Sequence, residues 1–288
     1  MTITAAMVKE LRDKTGAGFM DSKKALEQCD GDLEKAMEFL RQKGIASADK
    51  KQNRIAAEGL VATYIDNGVG AIVEVNCETD FVAKNEDFKA FVNGLAKRIA
   101  TVKPVDMDAL NASVCACCNM KIEDAVKDKI ATIGEKISIR RFEVLEGNLA
   151  TYVHNGKIGV LISATAQDET LLKDVALHIA SSAPEFVSRA QIPASVIEEE
   201  TRIEMGKEDL ANKPENIRAK IVEGRVNKLM SQKCLLEQPF VKNPDQTIET
   251  LLNGKLEIKS FVRWTLGEGL EKRQDNFAEE VASQMAGN

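Results

Sequence analysis

Three thiols stand together in "CACC", at Cys115, Cys117 and Cys118, and clustered cysteines can hold zinc or act as nucleophiles. A structural zinc site wants four N or S ligands, commonly as two spaced pairs. No second pair follows at such a spacing, and the two histidines, His154 and His178, lie far off in the chain. The cluster therefore reads as a variable connection between helices, and a thiol or zinc enzyme is the weakest reading of the sequence. Cys29, Cys77 and Cys234 are isolated and read as small, semi-buried hydrophobes. His154 sits at an Asn-Gly turn, where surface histidines are usually solvated, and His178 sits beside an apolar helical stripe, where it is expected to be packed. Acidic runs such as "IEEETRIE" read as solvated helix faces. The chain has no GxxxxGK[ST] loop, no HExxH and no GxSxG, and "TGAGFM" lacks the preceding strand that a dinucleotide loop needs. General acid–base candidates are few. The expectation is a protein that is not an enzyme and has no cofactor or metal.

The stretch with the sharpest alternatives is "VNCETDFVAKNEDF", Val75 to Phe88. A buried-strand pattern ends there and runs into Thr79-Asp80-Phe81-Val82, with a second helix-start signal at Asn85. Phe81 and Phe88 are seven residues apart, so one continuous helix would put both on a single core-facing side, with Thr79 or Asp80 as a plain N-cap. Two separate helices would leave Phe81 on an exposed tip. The Asn85 signal favours the tip.

Composition narrows the classes. The 288 residues suggest about two domains. Aromatics make up only 5%, which argues against a base-stacking platform, and a net charge of −6 argues against a phosphate-binding surface. No direct contact with nucleic acid is expected. No apolar run approaches the roughly 18 residues of a membrane span, and the N-terminus lacks a basic and apolar leader. A reducing cytoplasm is the simplest location.

The elements that must position these residues follow from periodicity. Residues 1 to about 43 read as three short helices, carrying Met7, Val8 and Leu11, then Ala25 and Leu26, then Leu33, Met37 and Leu40, with a basic linker after them. "EGLVATYIDNGVGAIVEV" (58–75) and "EGNLATYVHNGKIGVLIS" (146–163) repeat one another as strand, Asn-Gly turn and strand, the turn chemistry suiting a type I′ hairpin. A helix follows each, with stripes Phe88, Phe91, Leu95, Ile99 and Leu172, Val175, Ile179. Gly70 and Gly159 match across an offset of 89, Ile99 and Ile179 across 80, so the first copy carries 89 − 80 = 9 extra residues before its helix. That surplus falls on the TDFVAKNED region, so the architecture can be built without it. Between the copies, 121–134 reads as a helix and 135–147 as a strand. Residues 193–233 read as a charged helical hairpin broken at Lys213-Pro214, with Val196, Ile203 and Leu210 every seven residues and Val222, Val226 and Leu229 facing back. A helix and a strand at 246–266 precede a terminal helix striped by Leu270, Phe277, Val281 and Met285.

In "MVKELRDKTGAGFMDSKKALEQCDGD", "EVNCETDFVAKN", "EKISIRRFEVLEG", "PEFVSRAQIP", "QPFVKNPDQTI" and "GEGLEK" the chain resembles the bacterial elongation factor Ts family over nearly its whole length. Only 105–121, with the cysteines, matches poorly. The resemblance implies an α+β protein: a three-helix, ubiquitin-associated-like bundle and linker (1–54), two duplicated α+β core subdomains (55–140, then 141–192 with 234–266), an inserted antiparallel helical coiled coil (193–233) and a C-terminal helical module (267–288). It implies a guanine-nucleotide exchange factor that promotes GDP release from elongation factor Tu. By this resemblance Thr79, Asp80, Phe81 and Val82 insert near that GTPase's magnesium site, with Phe81 as a wedge. Asp80 either disturbs the polar network around the metal or orients the tip. Arg12, Phe19, Met20 and Lys23 of the bundle and His154 of the second subdomain are implied as further contacts. The alternative from another class is an adaptor, in which the bundle and the helical hairpin recruit a partner without changing its nucleotide state.

Overall fold

The computed structural model of the protein describes residues 3–115, 118–211 and 213–271, and for 45–50 the backbone alone. Among them the chain is mixed α+β and forms two compact units. One takes the chain up to Val61, Val73–Phe142 and the segment from Thr265; the other takes Ala62–Ile72 and Glu143–Trp264.

The first unit opens with α1 (Ala5–Thr15), α2 (Phe19–Gln28) and α3 (Leu33–Lys51). The Thr4 hydroxyl caps α1 by accepting from the Met7 amide, and Gly16 ends it in the left-handed region at φ 68°. Val8 and Leu11 pack with Ala25, Leu26 and Ala36 in a small core. Met37, expected in the third stripe, is exposed, and the smaller Ala36 one position earlier is buried instead. Three short helices approach more closely over alanine than over methionine. Strands β1 (Glu58–Asp66) and β2 (Val69–Cys77) form the first hairpin, of which Ala62–Ile72 counts with the second unit; α4 (Asp80–Lys84) and α5 (Glu86–Val102) follow, then α6 (Met107–Ala112), α7 (Ile122–Ile133) and β3 (Ile137–Glu146), which passes into the second unit at Glu143. Strand order in this sheet is β1-β2-β3. Phe88, Phe91, Leu95 and Ile99 of α5 are all buried, as their spacing predicts. The short α6 within 105–121 is a helix that periodicity did not suggest; Asp106 caps it from the Ala109 amide at 2.8 Å. α3 packs on α7, closely enough that a Cβ on Gly44 would lie 2.6 Å from that of Ala131.

Glu74 on β2 is fully buried, an unusual place for a carboxylate. Arg140 and Arg141 of β3 donate to it at 2.9 and 2.6 Å, the Gly267 amide at 2.8 Å and the Asn76 side-chain amide at 3.2 Å. Burial pushes its carboxyl pKa up, but the Gly267 amide and the two guanidinium groups outweigh burial and hold it below the usual carboxylate range. Gly267 can come this close because it has no side chain: its φ is +68°, and a Cβ there would meet the Ala57 carbonyl oxygen at 2.5 Å.

The second unit repeats the hairpin–helix arrangement with β4 (Asn148–His154), β5 (Ile158–Ala164) and α8 (Glu169–Ser182). β4 and β5 pair antiparallel, Tyr152 opposite Val160, and β5 also pairs with β8 (Ile258–Thr265). Both Asn-Gly pairs take positive φ, 49° and 74° at Asn67 and Gly68, 51° and 69° at Asn155 and Gly156. The second turn also takes in Lys157, whose amide donates to the His154 carbonyl at 2.9 Å. α5 and α8 end alike, with Lys103 and Ala183 in the left-handed region returning their amides to Ile99 and Ile179. α9 (Ala194–Met205) and α10 (Glu215–Lys233) pack on each other around Leu210, Val222 and Val226. Ile203, expected in the heptad seam, is exposed. Glu204 takes the inward position and pairs with Lys207 and with Arg225 of α10, so a charge pair stands where a leucine-like contact was expected. A short antiparallel pair, β6 (Pro239–Phe240) and β7 (Asn243–Thr247), precedes α11 (Ile248–Leu252), which Thr247 caps.

His178 of α8 is fully buried, as packing beside the apolar stripe predicted. The Val241 amide donates to its Nδ1 at 3.2 Å, which leaves the proton on Nε2 to be donated to Gln238 Oε1 at 2.8 Å. Burial lowers its pKa below 6.5, against the opposing pull of the Gln238 bond. The folded protein thus binds fewer protons at His178 than the unfolded chain does. Its contribution to stability is complete above pH 6.5 and declines as pH falls from there through the lower folded value. Urea unfolding of wild type and His178→Gln at pH 7.5 and 5.5 checks this. The acid-induced loss of stability should be smaller in the variant, which cannot titrate, and an equal loss would show that other groups carry it.

Candidate partner-binding site

The expected tip is a separate helix. α4 has only five residues; Thr79 caps its start from the Val82 amide at 3.4 Å, and Asn85 both ends it and caps α5, its side chain accepting from the Asp87 and Phe88 amides at 2.8 and 3.2 Å. The break at Asn85 separates the fates of the two phenylalanines. Phe88 is fully buried, and Phe81 is 80% exposed, the most exposed phenylalanine among the described residues and unlike a core residue. Ala83 turns inward and Val82 is half-buried, so α4 is held on one side while its Phe81 side faces solvent. Asp80 is partly exposed and pairs with Lys84 at 2.6 Å, and the Lys84 ammonium lies 5.9 Å from the Phe81 ring centre. The surplus of the first repeat is therefore the place where α4 stands.

The base of the tip is held from a distant part of the first unit. Glu135 accepts from the Glu78 amide at 3.1 Å, the Thr79 amide at 3.0 Å and the Thr79 hydroxyl at 2.6 Å. In return Glu78 accepts from the Lys136 amide at 2.6 Å and from Arg54 at 3.2 Å, and Lys136 Nζ donates to the Arg54 carbonyl at 2.9 Å. Cys77, just before this corner, is buried; burial first, and the Glu135 charge after it, push its thiol up to about 12, far from a reactive thiolate.

The other expected residues lie elsewhere. Phe19 and Met20 open α2 behind Gly18 and are 50% and 58% exposed. Lys23, on the same helix, is exposed near Glu27 at 3.8 Å, and Arg12 is exposed in the last turn of α1. His154 is exposed at the tip of its hairpin, its ring nitrogens near the Tyr152 hydroxyl (3.1 Å) and the Asn155 amide (3.3 Å). Thr79 to Val82 are contiguous, and Phe19, Met20 and Lys23 share one helix, while His154 belongs to the other unit. Cys115 is buried and Cys118 exposed; Cys117 lies outside the described residues, as do Phe277, Val281 and Met285 of the expected terminal helix. Among the described residues no group of three or more His, Cys, Asp or Glu is placed to hold a metal ion, and no helix is long and apolar enough to cross a membrane.

A family model described as Elongation factor TS matches residues 78–268. A protein named Elongation factor Ts from Alkalilimnicola ehrlichii is 47% identical over 294 residues, covering 100% of both chains. Another of that name from Nostoc sp. is 45% identical over 308 residues, covering 98% of each. The chain belongs to the Elongation factor Ts family. It is thereby an elongation factor of protein synthesis. The family match begins at Glu78, so it takes in the whole of α4 and its anchor Glu135, while the full-length relatives extend the likeness through α1 to α3. Glu135 escaped sequence reasoning because "EKISIRRFEVLEG" reads as a strand, whose leading glutamate is expected to be solvated. Its three donors lie 56 and 57 residues away, beyond any local pattern.

Proposed function

We propose that this chain is a guanine-nucleotide exchange factor for elongation factor Tu, and that the α4 tip carries the exchange step. The observation that carries the reading is Phe81: a large aromatic, 80% exposed, on a short helix capped at both ends and anchored at its base. A large aromatic held out on a capped and anchored helix supports the reading of an anchor for a partner's pocket. The reading is one of linkage. A factor that binds the nucleotide-free GTPase more tightly than the GDP-bound form must lower GDP affinity by the same ratio. Phe81 would supply that difference by entering a pocket that opens only when helices near the GTPase magnesium site shift, with Asp80 acting on the polar groups around the metal. Phe19, Met20, Lys23 and Arg12 would hold the GTPase through the N-terminal bundle (1–54), and His154 would add a contact from the second core subdomain. Core subdomains at 55–140 and at 141–192 with 234–266, a helical coiled coil at 193–233 and a C-terminal module at 267–288 are part of the same reading, as is a cytoplasmic location. The chain then shifts an equilibrium between bound states and performs no bond chemistry of its own.

The test is the rate at which elongation factor Tu loses a fluorescent GDP analogue after mixing with excess GDP. The purified chain should accelerate that loss in proportion to its concentration until it saturates. A chain that binds elongation factor Tu and leaves the rate unchanged would be an adaptor.

A further inference from the structure

We propose that Glu135 is the positioning residue of the exchange tip, setting the direction of α4 and so of Phe81 without touching the partner. The inference rests on the exchange-factor reading and names the group that aims its wedge. Three donors converge on this single carboxylate: the Glu78 amide, the Thr79 amide and the Thr79 hydroxyl. The hydroxyl has one proton. Donating it to Glu135 at 2.6 Å leaves its lone pairs to accept the Val82 amide at 3.4 Å, so the bond to Glu135 orients the cap that starts α4. Five residues are too few for a helix to fix itself, because the cost of nucleation is spread over very few propagating bonds. The direction of α4 is therefore inherited from its base, and Asp80 and Phe81 are the first two residues above that base.

A strand-to-helix corner does not need this device in order to form. In the second unit the corresponding corner runs from Ala164 to Glu169 with no helix interposed. There Thr165 exchanges two bonds of 2.9 Å with the backbone of Glu257, and Asp168 caps α8. The carboxylate clasp occurs in the unit that carries the exposed tip. Glu78 and Lys136 reinforce it in the opposite sense, since the Lys136 amide donates back to Glu78 at 2.6 Å. Two adjacent residues from each side of the corner are thus locked together, which resists rotation of α4 about a single bond.

The experiment measures stimulated GDP release from elongation factor Tu with wild type, Glu135→Gln, Phe81→Ala and the double variant, each titrated to saturation. Glutamine keeps the size of the side chain but cannot accept all three bonds as a carboxylate does. Glu135→Gln should lower the maximal release rate on the order of tenfold, while the half-saturating concentration, set largely by the other contacts, moves less than about threefold. The double variant should be no slower than Phe81→Ala alone, within about twofold, because a group that acts through Phe81 has nothing left to act on. A purely structural role would instead multiply the two losses. Should Glu135→Gln melt below the assay temperature, Thr79→Val, which removes the hydroxyl between Glu135 and the Val82 amide, is read in the same way. Wild-type activity in Glu135→Gln, or losses that multiply, would overturn the inference while leaving the exchange reading standing. A wild-type chain that does not accelerate release overturns both.

Discussion

Phe81→Ala is expected to leave the protein as stable as wild type and to slow stimulated GDP release about thirtyfold. The two halves of this expectation have different origins. In the isolated chain Phe81 is 80% exposed, so removing its ring opens no cavity and takes little buried surface from the fold. Surface changes of this kind alter stability by about 0.5 kcal/mol or less. In the complex the same ring would be buried, and complete burial of a phenylalanine is worth about 1.5–3 kcal/mol. At about 1.4 kcal/mol per tenfold, about 2.1 kcal/mol, within that range, corresponds to the stated change in rate. Thermal melts of both proteins and a stopped-flow release assay decide the matter. A folded, fully active Phe81→Ala removes the wedge from the mechanism even if exchange activity remains. Phe88→Ala provides the contrast: a fully buried phenylalanine should cost about 3–5 kcal/mol of stability before any effect on exchange can be read.

Glu74→Ala is expected to destabilise the first unit by about 3 kcal/mol. Deleting one partner of a buried ion pair typically costs about 3–5 kcal/mol because the remaining charges and donors are left without compensation. The lower end applies here because Arg140 and Arg141 keep 24% and 29% of their side-chain surface and can recover some water. The Gly267 amide and Asn76 cannot recover as much, since the site they face is closed. Glu74→Gln should fall between wild type and Glu74→Ala, as its carbonyl still accepts while its amide faces a guanidinium. Urea titration at neutral pH measures both variants, and a loss under about 1 kcal/mol in Glu74→Ala would mean that the arginines rehydrate fully. The carboxyl is held below its ordinary 4.5, so its contribution to stability is complete above that pH and is lost only as pH falls through the lower folded value.

Local chemistry was legible in the sequence, and distant partnership was not. The Asn-Gly turns, the Thr79 and Asn85 caps and the helical stripes of α5 and α8 all depend on residues within a few positions of one another, and each is present. The choice between a core and an exposed Phe81 turned on one such local feature, the second cap at Asn85. Ile203 and Met37 show where periodicity fails. A seven-residue spacing marks a face but not the depth to which it is buried, and Glu204 and Ala36 beside them took the inward places. Glu74 and Glu135 gave no signal because a glutamate in a strand or a turn is usually solvated. What makes them unusual is the arrival of donors from 193 and 57 residues away.

The reach of Glu74 to Gly267 also bears on how the protein is made. During synthesis the strand carrying Glu74 leaves the ribosome long before Gly267, which follows 193 residues later. At about 5–20 residues per second that interval is on the order of 10–40 seconds. Arg140 and Arg141 become available part-way through it, and the last amide donor only near its end. The second unit ends at Trp264, so every residue it needs has been made before the first unit can close its buried carboxylate. A chain halted short of Gly267 would carry Glu74 without that amide donor, its carboxylate held by Arg140, Arg141 and Asn76 alone.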